Sequence, residues 1–295
     1  MSIYNKSGNQ VFSAYDADGQ ELNTSYDVEG TVIFQKEPLQ LKVMEYNVGG
    51  WYIGSGTNVP ADKDVAFYEL QNGILNRQDA DILCICEYWS VFSKTGRTAA
   101  SVLTQYFPYI HEENGTSNYW GRCICSKYPI ESYTVNVYAG DTTGRYYDKA
   151  TINCNGMLVD VIVTHLHPSD QSEKIRTAKI LFDYTQTLDH PWIVCGDFNS
   201  NLHYPFTEVN AAIYQQFLDA DCAIANDGAF GILPTACNSA DWEADKFAID
   251  NIITAPEFTI DDVWTDESKT TNTAVLATGK IDHIPLIAEL TIGGT

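Results

Sequence analysis

Apolar runs of strand length recur along this 295-residue chain and stop abruptly at a carboxylate, an amide or an imidazole. Met44-Glu45-Tyr46 stops at Asn47, Ile82-Leu83-Cys84-Ile85-Cys86 at Glu87, and Val161-Ile162-Val163-Thr164 at His165. Trp192-Ile193-Val194-Cys195 runs into Gly196-Asp197-Phe198-Asn199, Phe247-Ala248-Ile249 into Asp250-Asn251, and Ile281-Asp282-His283 precedes Ile284-Pro285-Leu286-Ile287. Runs this short are strands rather than helices. Taken singly, each polar residue is a loop or a cap. If the strand ends meet at one rim, they gather Glu87, Asp197, Asp250 and Asp282 with two amides and two imidazoles. That much negative charge in one cleft calls for a cation, and oxygen donors of this kind suit Mg²⁺ or Mn²⁺, with Ca²⁺ as a third choice, rather than zinc.

The rest of the chain fills in the architecture. Strands are expected at 39–48, 81–87, 119–126, 133–138, 151–154, 158–165, 192–195, 247–254 and 285–290, and helices at 61–77, 170–188 and 208–220. Asn155-Gly156 between two apolar runs is a strong hairpin signal. Asp170 and Glu173 occupy capping-box positions, with Ile175, Ala178, Leu181, Phe182 and Leu188 along one side of the helix that follows. Strands mostly in neighbouring hairpins, with helices between groups of them, point to an α+β fold: a four-layer α/β/β/α sandwich of two packed, mainly antiparallel sheets flanked by helices.

Residues 1–37 read as a separate short segment and residues 38–295 as the main domain. Tyr15-Asp16-Ala17-Asp18-Gly19-Gln20-Glu21-Leu22 recurs as Tyr26-Asp27-Val28-Glu29-Gly30-Thr31-Val32-Ile33, with Asp and Gly supplying a turn between short strands. This repeat weakly resembles turn repeats of bacterial surface and phage-tail proteins, which would make it a connector or an attachment segment. A hairpin packed on the main domain is the plainer alternative.

Composition narrows the function classes. Hydrophobic residues make up 44% of the chain, which excludes disorder as its main description. No run spans a bilayer and the N-terminus carries no apolar signal segment, so the expectation is a soluble, cytoplasmic protein, with association to a surface or phage structure left open by the repeats. The net charge of −22 argues against a broad phosphate-binding surface. It does not exclude a nuclease, because a bound divalent ion reverses the field locally. The eight cysteines include Cys84 with Cys86 and Cys123 with Cys125. Both pairs sit at a spacing of two in apolar runs, too tight for zinc, and they read as buried, reduced thiols.

Asn47, Glu87, Thr164-His165, Gly196-Asp197-Phe198-Asn199, the Asp250 strand and Asp282-His283, in that order, resemble the endonuclease/exonuclease/phosphatase superfamily. That superfamily includes DNase I, abasic-site endonucleases, neutral sphingomyelinases and inositol-polyphosphate 5-phosphatases. Gly121-Arg122-Cys123-Ile124-Cys125-Ser126-Lys127-Tyr128-Pro129-Ile130 also resembles a family stretch, and the likeness spans about residues 39–291. The resemblance implies a divalent-metal phosphodiester hydrolase acting on DNA or RNA. Glu87 would be the main metal carboxylate, with Asn47 and Asp282 completing its shell. Asp197 would activate water, Asn199 would bind a phosphoryl oxygen, Asp250 would align His283, and His165 would donate to phosphate. Trp120 and Arg122, and Tyr146-Tyr147 after Arg145, would line a substrate groove or else simply pack.

Trp89 stands where nuclease members often carry a basic residue, which weakens a nucleic-acid reading. A phospholipid or inositol-phosphate hydrolase is the alternative within the fold, although Trp51-Tyr52-Ile53-Gly54 is the one short candidate for an apolar membrane loop. A non-catalytic attachment module is the alternative of another class. Against it, a binding protein has no use for so costly a cluster of charge. His111, His190 and His203 belong to no motif, and His167 beside Pro168 reads as loop.

Overall fold

A computed structural model describes residues 14–15, 21–22, 24–26, 32–35, 38–49, 73–88, 90, 98–113, 121–141, 143–200, 208–237, 246–266 and 283–293. Two six-stranded sheets form its centre. The first carries, in spatial order, β17 (Phe258–Thr265), β18 (Leu286–Ile292), β5 (Leu39–Asn47), β6 (Ile82–Tyr88), β8 (Gly121–Ser126) and β7 (Tyr109–Glu113). The second runs β13 (Ala223–Ile224), β16 (Asp250–Thr254), β12 (Trp192–Asp197), β11 (Met157–His165), β10 (Tyr146–Cys154) and β9 (Ile130–Val137). β5 with β6 and β11 with β12 are parallel, and every other neighbouring pair in the two sheets is antiparallel. The expected hairpin at Asn155-Gly156 joins β10 to β11, with Asn155 and Gly156 both at positive φ.

Alternation along the strands makes the layers. On β5 and β6, Leu41, Val43, Ile82, Cys84 and Cys86 face the second sheet, whereas Met44, Tyr46, Leu83 and Ile85 face outward. The outward set packs on the helical residues 73–78 (α1) and on α2 (Ala100–Leu103) through Ile74, Leu75, Val102 and Leu103. The second sheet's far side is covered by α3 (Gln171–Thr185) and α4 (Glu208–Leu218), through Ala178, Leu181, Ile213, Tyr214 and Phe217. The result is the expected α/β/β/α order of layers.

Asp170 caps α3, accepting from the Glu173 N–H at 3.1 Å, while the Glu173 carboxylate pairs with Arg176 instead of closing a full capping box. The seven described cysteines are all free and buried. Cys84 and Cys86 line the layer between the sheets, and Cys123 and Cys125 the layer facing the helices. Strands beyond the sequence expectations are β7 and β17, at opposite edges of the first sheet, the two-residue β13 at one edge of the second, and β14 (Ala236–Cys237), which pairs with β15 (Lys246–Phe247). Ahead of the sandwich, β1 (Ala14–Tyr15) pairs with β2 (Glu21–Leu22) and β3 (Thr24–Tyr26) with β4 (Val32–Gln35), one antiparallel pair for each copy of the repeat. The upstream part of the expected helix at 61–77, together with Trp51-Tyr52-Ile53-Gly54, Trp89 and His203, lies outside the described residues.

Candidate active site

Register assembles most of the site. His165, the last residue of β11, stands opposite Asp197, the last of β12, and Asp197 stands opposite Asp250, the first of β16. Three polar side chains therefore project side by side from adjacent strands toward the other sheet. The parallel pairing of β11 with β12 needs a glycine before Asp197. A Cβ on Gly196 would lie 2.1 Å from the Thr164 carbonyl oxygen. From the first sheet, β5 brings up Asn47 and, two residues earlier on the same face, Glu45.

Glu87 reaches the site through a bulge. By alternation with Leu83 and Ile85 it would point at the helices, but the β6–β8 register shifts between Cys86 and Tyr88, and Glu87 has a φ of 51°. One residue in the left-handed region re-aims the side chain, so that Glu87 Oε1 lies 3.9 Å from His165 Nε2 while Tyr88 takes the helix-facing position. A left-handed non-glycine residue is strained, and strain of this kind gathers at functional sites.

Asp197 is the hub. Its Oδ2 accepts from Asn47 Nδ2 at 3.0 Å and lies 3.4 Å from His165 Nε2 and 3.7 Å from His283 Nε2. Its Oδ1 accepts the Asn199 backbone N–H at 2.7 Å. Burial, then the neighbouring Asp250 carboxylate, pushes the Asp197 carboxyl up to about 7, with His283 and the Asn199 N–H opposing. His283 Nδ1 lies 2.7 Å from Asp250 Oδ2. Both partners are held by one short segment: Thr235 Oγ1 accepts the Asp250 N–H at 3.1 Å, the Thr235 carbonyl accepts from Ile284 N–H at 2.8 Å, and Ala236 bridges to His283.

His165 is buried, and that burial, followed by the positive charges of Arg145 and Arg122, holds its pKa well below the ordinary value. Both effects favour the neutral imidazole. Asn199 has a φ of 49°, and its amide donates to the Leu166 carbonyl at 3.1 Å, which keeps the Asp197 loop against the end of β11.

Among the residues expected at the site, Asn47, Glu87, His165, Asp197, Asn199, Asp250 and His283 converge. Asp282 and Trp120 lie outside the described residues. Arg122, read as lining a substrate groove or else packing, is fully buried and packs, its guanidinium 3.9 Å from the centre of the Tyr146 ring. Its strand, β8, lies between β6 and β7 in the first sheet. His167 is loop, its Nδ1 accepting the N–H groups of Ser169 and Asp170 ahead of α3.

Two participants are new. Arg145 is buried and donates from Nη1 to the carbonyls of His165 and Leu166 at 2.9 and 2.8 Å, pinning the end of β11. Glu45 is fully buried, and neither of its carboxylate oxygens finds a hydrogen-bond partner among the described residues. Burial, then Asp250 and Asp197, raises its pKa well above the usual carboxylate range. The signal for Glu45 was a carboxylate inside an apolar run.

The chemistry of the donors fits a hard divalent cation. Ligand atoms of Asp197, Asp250 and His283 lie within 4.8 Å of one another, and Glu87 is turned toward them. Burial first lifts Asp197 and Glu45, and the carboxylate repulsion that adds to it is the kind a cation relieves.

A model of the Endonuclease/Exonuclease/phosphatase family matches residues 44–271, most of the chain. The chain belongs to this family. It is accordingly a hydrolase of phosphoester bonds, in a family whose enzymes are typically divalent-metal dependent. Solved structures share the fold. The human Nocturnin catalytic domain with bound sulfate is 16% identical, with a TM-score of 0.62 over 87% of this chain and 96% of that one. Humanized D. rerio TDP2 is 12% identical, with a TM-score of 0.63 over 85% and 98%. The Bacteroides thetaiotaomicron mannosyl-6-phosphatase is 14% identical, with a TM-score of 0.60 over 85% and 99%. No curated protein matches the sequence. Among the described residues, no helix of this family member is long and apolar enough to cross a membrane.

Proposed function

We propose that this family member is a divalent-metal-dependent phosphodiester hydrolase acting on DNA or RNA. The observation that carries the reading is the Asp197 carboxylate, buried between two imidazole Nε2 atoms at 3.4 and 3.7 Å and held near neutrality. A group with a pKa near the working pH is suited to take a proton from water, and Asp197 is fixed for that task by Asn47 and the Asn199 N–H. Asp250 holds Nδ1 of His283, so that its Nε2 faces Asp197 and the reacting phosphate. Neutral His165, its proton directed by Asp197 and Glu87, donates to a phosphoryl oxygen, with the Asn199 amide beside it. Glu87, Asn47 and Asp282 would hold the cation, Mg²⁺ or Mn²⁺ before Ca²⁺. When bound, it offsets charge on the phosphoryl oxygens and the leaving group. In the same reading, residues 38–295 are the catalytic unit and residues 1–37 a connector or attachment segment.

The test is a hydrolysis panel with Mg²⁺, Mn²⁺, Ca²⁺ and a chelator, covering plasmid DNA, RNA, bis-p-nitrophenyl phosphate, sphingomyelin, inositol phosphates and sugar phosphates. Chelator-sensitive cutting of DNA or RNA is the expected result. Turnover of lipid, inositol or sugar phosphates alone would move the substrate to the alternative class.

A further inference from the structure

Lys174 is a charged residue where the fold gives it little access to water. It lies in the first turn of α3 and is 3% exposed. Its ammonium reaches back across the α3–β12 layer and donates to the carbonyl oxygen of Asn199. Burial disfavours that charge and the nearby Asp197 carboxylate favours it. Helix surfaces rarely bury a lysine without a task for its head group.

The carbonyl it holds belongs to a residue in an uncommon backbone conformation. Asn199 is left-handed, with a φ of 49°, a conformation that costs a non-glycine residue about 1 kcal/mol. In that conformation its N–H meets Asp197 Oδ1 at 2.7 Å and its amide meets the Leu166 carbonyl at 3.1 Å. The N–H, side-chain amide N–H and carbonyl of Asn199 therefore each have a separate anchor: Asp197, Leu166 and Lys174.

We infer that Lys174 is a positioning residue, whose ammonium locks the Asn199 peptide in its left-handed conformation and so keeps the Asn199 N–H on Asp197 and its amide at the end of the His165 strand. Lys174 touches no substrate in this scheme and works entirely through Asn199. The inference rests on the phosphodiesterase reading for its kinetic consequences, but its structural core stands apart from it.

The experiment compares wild type with Lys174→Met, Lys174→Arg, Asn199→Ala and the Lys174→Met/Asn199→Ala double variant, on bis-p-nitrophenyl phosphate with Mn²⁺, alongside a crystal structure of Lys174→Met. Met keeps the apolar stem and removes the charge. Expected for Lys174→Met is a kcat lower by roughly 10- to 100-fold with KM within about twofold, the scale of a small misplacement of reacting groups. Lys174→Arg should recover most of the loss, and the double variant should be no worse than Asn199→Ala alone. A wild-type kcat in Lys174→Met, or losses that simply multiply in the double variant, overturns the inference. If wild type is inactive on every phosphoester, the functional reading fails and the crystal structure decides. Asn199 leaving the left-handed region in Lys174→Met upholds the positioning role, and an unchanged Asn199 refutes it.

Discussion

His283 Nδ1 and Asp250 Oδ2 lie 2.7 Å apart although 33 residues separate them in the chain. The carboxylate accepts, so Nδ1 carries the proton and Nε2 is left facing Asn47 Nδ2 at 3.5 Å and Asp197 Oδ2 at 3.7 Å. The tautomer is set by a partner buried behind the ring, which leaves the front of the ring for chemistry.

Breaking that contact tests it. Asp250→Asn keeps the shape and removes the charge, and the rate on an activated phosphodiester should fall by roughly two to four powers of ten. His283→Ala should fall by a similar factor and the double variant little further, because the pair acts as a unit. Steady-state kinetics of the three variants decide the point, and multiplying losses would dissolve the pair.

Glu87→Gln should weaken Mg²⁺ and Mn²⁺ binding while leaving the fold intact. In metal-free buffer the variant should melt no lower than wild type, since one of several crowded carboxylate charges is gone. Titration calorimetry showing unchanged affinity would remove Glu87 from the metal shell.

Stability should depend on pH with an unusual sign. Burial first, then neighbouring carboxylates, raises Glu45 and Asp197, the latter to about 7. A carboxyl whose pKa is higher in the folded than in the unfolded chain favours folding below the unfolded value, near 4, and that share is lost as pH rises through the folded value. In chelator, Asp197 alone should remove about 4 kcal/mol at most between pH ~4 and ~7. Glu45→Gln should lessen the decline, and added Mg²⁺ should offset it. Urea unfolding at half-unit pH steps reads this directly, and a curve independent of pH contradicts the charge crowding.

Gly196→Ala should be poorly tolerated. Its Cβ would meet the Thr164 carbonyl at 2.1 Å, a backbone atom in a parallel ladder with no slack. Separation of β11 from β12 should cost about 1–3 kcal/mol and displace Asp197 from His165. Denaturant midpoint and activity should therefore fall together.

The sandwich was legible because its strands carry their own punctuation: Asn155-Gly156 states a hairpin, and Gly196-Asp197 states a strand end. The convergence of Asn47, His165, Asp197 and Asp250 was legible for the same reason, since each ends or begins an apolar run. β7 and β17 escaped notice because they are edge strands, with exposed positions interrupting the apolar pattern. The parallel pairings of β5 with β6 and β11 with β12 are set by partners remote in sequence, which no local pattern reports. Glu45, Arg145 and Lys174 look in sequence like ordinary polar residues on a strand, a loop and a helix. Their burial comes from what the opposing layer lays over them. The turning of Glu87 toward the site depends on one backbone angle, and residue type does not announce it.

β18, built from residues 286–292, lies between β5 and β17 in the interior of the first sheet, and His283 enters just ahead of it. Of the described strands it is the last in sequence, so an interior place in the sheet is filled after both its neighbours are made. A nascent chain that has not yet delivered β18 has β5 open along one edge and no imidazole beside Asp250. Such a chain has every earlier site residue and no working site. Assembly of the site is thereby tied to completion of the first sheet, so that truncation ahead of His283 removes the imidazole and an interior strand together.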